Sequence, residues 1–186
     1  MKTNRRDFIK TTGFGAVGLG VLSSIDLFGK DIIASLPRKS PESQGVMSSP
    51  LMSKYSDKVF NVEKNAFGLT QIGFGLFEDA GVLRVNYGNG VEKVGFGWEK
   101  WRANPNKRKN PFSANPTAVS SRIASTATWL DDNTLQINFK FVDQVHGDKL
   151  TVKFEGNTVT VALLSSVSEN NKNSPEKRET IKGIMV

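Results

Sequence analysis

The chain is expected to fold as an all-β domain, a single antiparallel meander of about eight or nine strands closed into a lipocalin-like barrel, with a β-sandwich as the alternative. Three observations lead there. After Lys58 the apolar residues recur with a period of two, which sets one face of each segment in a core. Most of these segments are joined by short turns rich in Gly, Asn and Asp. No helical period follows that could cover a sheet edge, so closure or a sandwich is needed to keep the edges from pairing with other chains.

The strands follow in order. Val59, Phe60 and Val62 mark a first, and Ile72, Phe74 and Leu76 a second that turns at Asp79 to Gly81. Leu83, Val85 and Tyr87 run into a Gly88-Asn89-Gly90 turn, and Val94, Phe96 and Trp98 return from it. Ile123 to Leu130 supplies the next strand. The clearest alternation is Leu135, Ile137, Phe139 and Phe141 against Gln136, Asn138 and Lys140. Leu150, Val152 and Phe154 then reverse at Gly156-Asn157, a pair suited to a tight hairpin, into Val159, Val161 and Leu163. Ile181 to Val186 ends the chain. A body of this size, roughly 130 to 150 residues, buries about two thirds of its unfolded surface and can fold alone.

Composition narrows the chemistry. The 186 residues include no cysteine and one histidine, which excludes disulfides, thiolate metal sites and cysteine nucleophiles and leaves little for a histidine metal cluster. No metal or cofactor is implied. Hydrophobic residues at 38% and charged residues at 23% describe an ordinary globular chain. The net charge of +7 is modest, and without an aromatic-rich RNA platform it implies no nucleic-acid partner.

Residues 1–34 present a different physical problem. Arg5 and Arg6 precede Phe8, Ile9 and Lys10, and a weakly apolar run follows from Gly13 to Leu22. A positive head before about ten apolar residues is the layout of a secretory signal, expected as a signal helix preceding the barrel, and the paired arginines resemble a twin-arginine signal, with Arg5, Arg6, Phe8 and Lys10 as its recognition residues. The expected partner is the twin-arginine translocation machinery, and the expected location is periplasmic or extracellular. The run is too short for a stable membrane span, so cleavage is expected between Leu27 and Ser35. A cut after Ala34 leaves twenty basic and fifteen acidic side chains. Gly13, Gly15 and Gly18 match G-x-G-x-x-G, but no strand precedes them as a dinucleotide site requires.

Residues 35–57 read as an irregular lead-in, with Pro37, Pro41, Gly45 and several serines breaking any period. Within it, Pro37, Arg38, Pro41, Glu42, Gln44, Gly45 and Ser48 form a P-R-x-x-P-E-x-Q-G-x-x-S phrase. Gly95, Gly97 and Trp98, then Trp129, Asp131, Asn133 and Thr134, then Phe154, Gly156, Val159, Thr160 and Val161 follow in order. These phrases resemble exported serine hydrolases of the β-lactamase and penicillin-binding-protein type: the lead-in resembles the start of their mature region, and residues 58–186 resemble their C-terminal β domain. The resemblance implies an accessory domain, structural or substrate-positioning, whose partner is a serine-hydrolase catalytic domain or a cell-wall peptide or glycan. The catalytic middle is missing. Ser174 and Lys177 match S-x-x-K, but Pro175 sits in a polar loop with no helix to present both side chains. Tyr87 and Asn89 match Y-x-N as part of a hairpin turn, and His146-Gly147-Asp148 departs from H-x-G. No catalytic residue is therefore assigned.

The remaining candidates concern binding. Arg102 to Arg122 has three prolines and four asparagines against regular structure and a basic knot at Lys107, Arg108 and Lys109. It reads as a solvated crossover or as an anion or cell-wall contact. Trp98, Trp101 and Trp129 are candidate stacking residues for a ligand, although two of them fall on core-type alternation. Asp131 and Asp132 read as turn residues, His146 as a turn histidine, and the polar loop Ser165 to Arg178 offers no signal. The alternative to an accessory domain is a stand-alone periplasmic barrel holding a small apolar or wall-derived ligand.

Overall fold

The computed structural model describes residues 45–115 and 117–186. The signal residues Arg5, Arg6, Phe8 and Lys10, the rest of the segment 1–34 and the opening of the lead-in lie outside the described residues. The described residues form ten strands: β1 (Lys58–Val62), β2 (Gln71–Leu76), β3 (Ala80–Asn86), β4 (Val91–Trp98), β5 (Arg102–Arg108), β6 (Ser121–Trp129), β7 (Thr134–Phe141), β8 (Gly147–Glu155), β9 (Thr158–Ser165) and β10 (Ile181–Met185). Among the described residues two short helices, α1 (Met52–Tyr55) and α2 (Ser166–Asn170), flank them.

The expected barrel forms, and a single additional pairing, between β4 and β6, closes it. The first and last strands pair antiparallel, Phe60 opposite Met185. Neighbours then run β4-β3-β2-β1-β10-β9-β8-β7-β6, a ring of nine strands. Eight successive antiparallel pairings leave its two end strands pointing the same way, so the closing pair must be parallel. It is: Gly97 and Trp98 of β4 pair with Thr126 and Ala127 of β6.

β5 corrects the expectation that residues 102–122 lack regular structure. Arg102 to Asn104 pair antiparallel with Ser125 to Ile123, the register slips before Arg108, and Pro105 falls in that slip, where its missing N–H interrupts no ladder bond. β5 shares the edge of β6 with β4, and side chains fill the seam between them. Asn104 acts as a surrogate peptide: its Oδ1 accepts from the Gly95 amide and its Nδ2 donates to the Gly95 carbonyl, each at 2.8 Å. Ser125 Oγ donates to the same carbonyl at 2.6 Å.

Direction sorts the connections onto two ends. The turns after β2, β4, β6 and β8 lie at the base and are tight. At the β8–β9 turn Gly156 takes a φ of 60°, open to glycine without strain. The lead-in covers this end and is more regular than expected. Val46 forms a β-bridge with Trp129 and Ser49 Oγ donates to the Asp132 carbonyl. Tyr55 of α1 stacks on Phe154 with ring centroids 4.4 Å apart and donates its hydroxyl to the Gly156 carbonyl.

Inward positions pack the barrel with side chains. Phe60, Phe74, Phe96, Trp129, Phe139 and Phe154 are fully buried, and rings of Phe60, Phe74, Trp129 and Tyr55 all meet Phe154 within 6.1 Å. Each such side chain contributes about 1.5–3 kcal/mol of burial.

Candidate functional site

The end opposite the base carries the long connections: residues 63–70, 109–120 and 166–180, with the 87–90 and 142–146 turns. Two of these loops meet over the barrel at Asp148. Gly147 and Asp148 open β8, and strand parity turns Asp148 inward with Leu150, Val152 and Phe154. Its side chain is 4% exposed. Such a carboxylate needs partners. Arg178 from the β9–β10 loop supplies a bidentate pair, Nη1 to Oδ2 and Nη2 to Oδ1, both 2.9 Å. Asn110 from the β5–β6 loop adds its Nδ2 to Oδ2 at 2.5 Å.

Glu176 completes the cluster. It accepts from Arg178 Nε at 2.9 Å and Nη2 at 2.7 Å and from the Ser165 amide at 2.7 Å. Chiefly through the Arg178 hydrogen bonds, its carboxyl is lowered to about 2. Burial works against the Arg178 charge, but the bonds to Glu176 and Asp148 outweigh it and hold the guanidinium above its ordinary value.

Beside these charges an aromatic plug enters the barrel. Asn110 Oδ1 accepts from the Phe112 amide, an Asx turn that aims the Phe112 ring inward. The ring is fully buried, stacked toward Phe139 at 6.5 Å and edge-on to Phe67 at 6.2 Å. The Tyr87 hydroxyl donates to the Pro111 carbonyl at 3.2 Å, and burial, with the nearby Glu92 charge, pushes its ionisation far above the ordinary tyrosine range. The mouth is thus closed by a loop side chain and a latch of two carboxylates on one guanidinium.

The sequence candidates fall elsewhere. Trp98 and Trp129 are buried: the former donates Nε1 to the Phe77 carbonyl, and the Nε1 of the latter has no acceptor among the described residues. Both belong to the core rather than to a stacking platform, as their alternation implies. Trp101 is half-buried beneath Lys140, whose ammonium stands 5.9 Å from its ring. The basic knot is engaged rather than free: Lys107 lies 3.6 Å from Asp143, which also binds Arg122, and Arg108 donates to the Lys93 carbonyl. Asp131 closes an Asx turn onto the Asn133 amide, and that bond lowers its carboxyl. His146 is exposed in the β7–β8 turn and lines an open groove of about 460 Å³ with Phe141, Val145 and Ser166. Ser174 and Lys177 sit outside any helix; their amides donate to the Asn171 carbonyl and to Glu176. Among the described residues no group of three or more His, Cys, Asp or Glu is placed to hold a metal, and no helix is long and apolar enough to cross a membrane.

Sequence reasoning missed the site. Asn110, Phe112, Glu176 and Arg178 lie in the two stretches read as polar and irregular. The one available signal was Phe112, a lone aromatic between two prolines in a loop otherwise polar.

No family model and no curated protein matches the chain. Solved structures do. A fatty acid-binding protein from Drosophila melanogaster brain tissue aligns over 71% of this chain and 99% of its own, at 12% identity and a TM-score of 0.48. The Manduca sexta fatty-acid-binding protein covers 70% and 98%, at 13% identity and 0.43. Human cRBP IV covers 78% and 98%, at 13% identity and 0.41.

Proposed function

We propose that this chain is an exported, non-catalytic barrel that binds a small apolar ligand at its loop-bearing mouth, with the Phe112 ring occupying the ligand's place in the resting fold. One observation carries the reading: a fully buried interior side chain is delivered by a loop rather than by a strand. A strand side chain leaves the interior only by breaking the ladder. Phe112 leaves when residues 109–115 lift, at the expense of its own burial, about 2–3 kcal/mol, and a few hydrogen bonds. Because the other core side chains, those of the strands with Tyr55, Phe67 and Leu69, fill the rest, the vacated room suits a group of about one aromatic ring. Export rests on the Arg5-Arg6 signal pattern and would place the barrel in the periplasm or outside the cell, after recognition by the twin-arginine machinery.

A second reading has an observation of its own. The packed interior and the docking of residues 46–55 on the base suit an accessory domain of an exported serine hydrolase, acting through a catalytic partner rather than a ligand. One experiment separates the two. The neutral dye N-phenyl-1-naphthylamine should bind Phe112→Ala saturably and at least tenfold more tightly than the unaltered chain. A folded Phe112→Ala protein that leaves the dye dark overturns the ligand reading and favours the accessory one.

A further inference from the structure

We infer that Asn110-Pro111-Phe112 is a built-in imitation of the ligand, and that the mouth takes a neutral aromatic amide of the peptide class rather than an anionic amphiphile. This inference rests on the binding reading above and specifies its chemistry. The segment presents three features to the barrel at once. Its amide nitrogen, Asn110 Nδ2, donates to Asp148; its carbonyl, at Pro111, accepts from Tyr87; and its ring fills the slot between Phe67 and Phe139. A ligand that displaces it must meet the same acceptor, donor and slot, or forgo one hydrogen bond on the enclosed Asp148, which keeps its Arg178 pair, and one from the half-buried Tyr87 hydroxyl, at about 0.5–1.5 kcal/mol each. An aromatic residue flanked by peptide N–H and C=O groups meets all three.

Charge argues against an acid. Arg178 is the cation of the latch, and two carboxylates already occupy it, so the cluster carries one net negative charge. Glu92, close enough to act on Tyr87, adds another carboxylate. An arriving carboxylate would have to expel Asp148 or Glu176 from the guanidinium and strand a charge in a site where Asp148 is almost wholly enclosed. An amide takes over the Asn110 bond and strands nothing. Tyr87 stays protonated at any physiological pH and so remains a donor.

The test uses the full chain with Asn110→Ala and Phe112→Ala combined, which empties the acceptor and the slot together. Calorimetric titration with N-acetyl-L-phenylalaninamide should give binding at least tenfold tighter than with 3-phenylpropionate or toluene, and adding Tyr87→Phe should weaken the amide while leaving toluene unchanged. Toluene equal to the amide, or phenylpropionate tighter than it, overturns the ligand class and leaves the slot standing; no binding by any of the three overturns both. Should the double variant fail to fold, hydrogen exchange on the unaltered chain decides. Millimolar N-acetyl-L-phenylalaninamide should speed exchange of the Phe112 and Ser113 amides, which bond to Asn110, and phenylpropionate should not; equal effects, or none, overturn the inference.

Discussion

Replacing Arg178 by Met tests whether the latch holds the mouth. Met keeps an unbranched stem of similar length and removes the charge and five donors. Asp148 loses both 2.9 Å bonds and keeps only the Asn110 amide. Breaking a buried pair from one side costs about 3–5 kcal/mol. Here Arg178 is 20% exposed and Asn110 remains, so about 2–3 kcal/mol is expected. Glu176 adds less, since it lies nearer solvent and retains the Ser165 amide. For a body of this size about 3 °C accompanies each kcal/mol, so the thermal midpoint should fall by about 6–9 °C. Urea unfolding followed by tryptophan fluorescence measures the loss. The paired change Asp148→Asn with Arg178→Met removes the stranded charge and should recover at least 1 kcal/mol of it. An Arg178→Met protein within 0.5 kcal/mol of the parent, or a double variant less stable than the single one, refutes the claim that Asp148 depends on this guanidinium.

Two further outcomes are expected. Asn104→Ala strands the Gly95 amide at the seam and should lower stability by about 2–3 kcal/mol by urea unfolding, whereas Asn106→Ala on the exposed part of β5 should change it by less than about 0.5 kcal/mol. The second outcome concerns pH. Because the Glu176 carboxyl is lowered from 4.5 to about 2, the folded chain keeps it ionised where the unfolded chain has taken up a proton. Its stabilisation is therefore complete above the unfolded value and disappears as pH falls toward 2. Thermal midpoints of Glu176→Gln and the parent, recorded from pH 7 to pH 2, should differ by a gap worth about 1 kcal/mol after solvent screening and should converge at the acid end. A gap that persists at pH 2 contradicts this.

Strand positions were legible because period two is local: Leu135, Ile137, Phe139 and Phe141 mark the inward face of β7 with no knowledge of its neighbours, and all four are buried. The turns at 88–90 and 156–157 were legible for the same reason, since positive φ at Gly88 and Gly156 is a single-residue property. β5 was not. Its pattern has one buried residue, Asn104, and its pairing depends on β6 and on a side-chain amide completing the seam. The latch was illegible: Asn110, Asp148 and Arg178 come from three separate parts of the chain, and an amide and a guanidinium in polar loops carry no local sign that they will meet a carboxylate at the start of β8.

The sequence by itself determined an all-β chain, its alternating faces, its tight reversals and the absence of thiol chemistry, all of which follow from residue type and spacing. Tertiary structure alone decided that nine strands close through a parallel pair, that the lead-in seals one end, and that a loop phenylalanine fills the other. These depend on which distant residues become neighbours. That is settled by the summed burial of the closed barrel and by the need of each enclosed charge for a partner, not by any stretch of residues taken alone.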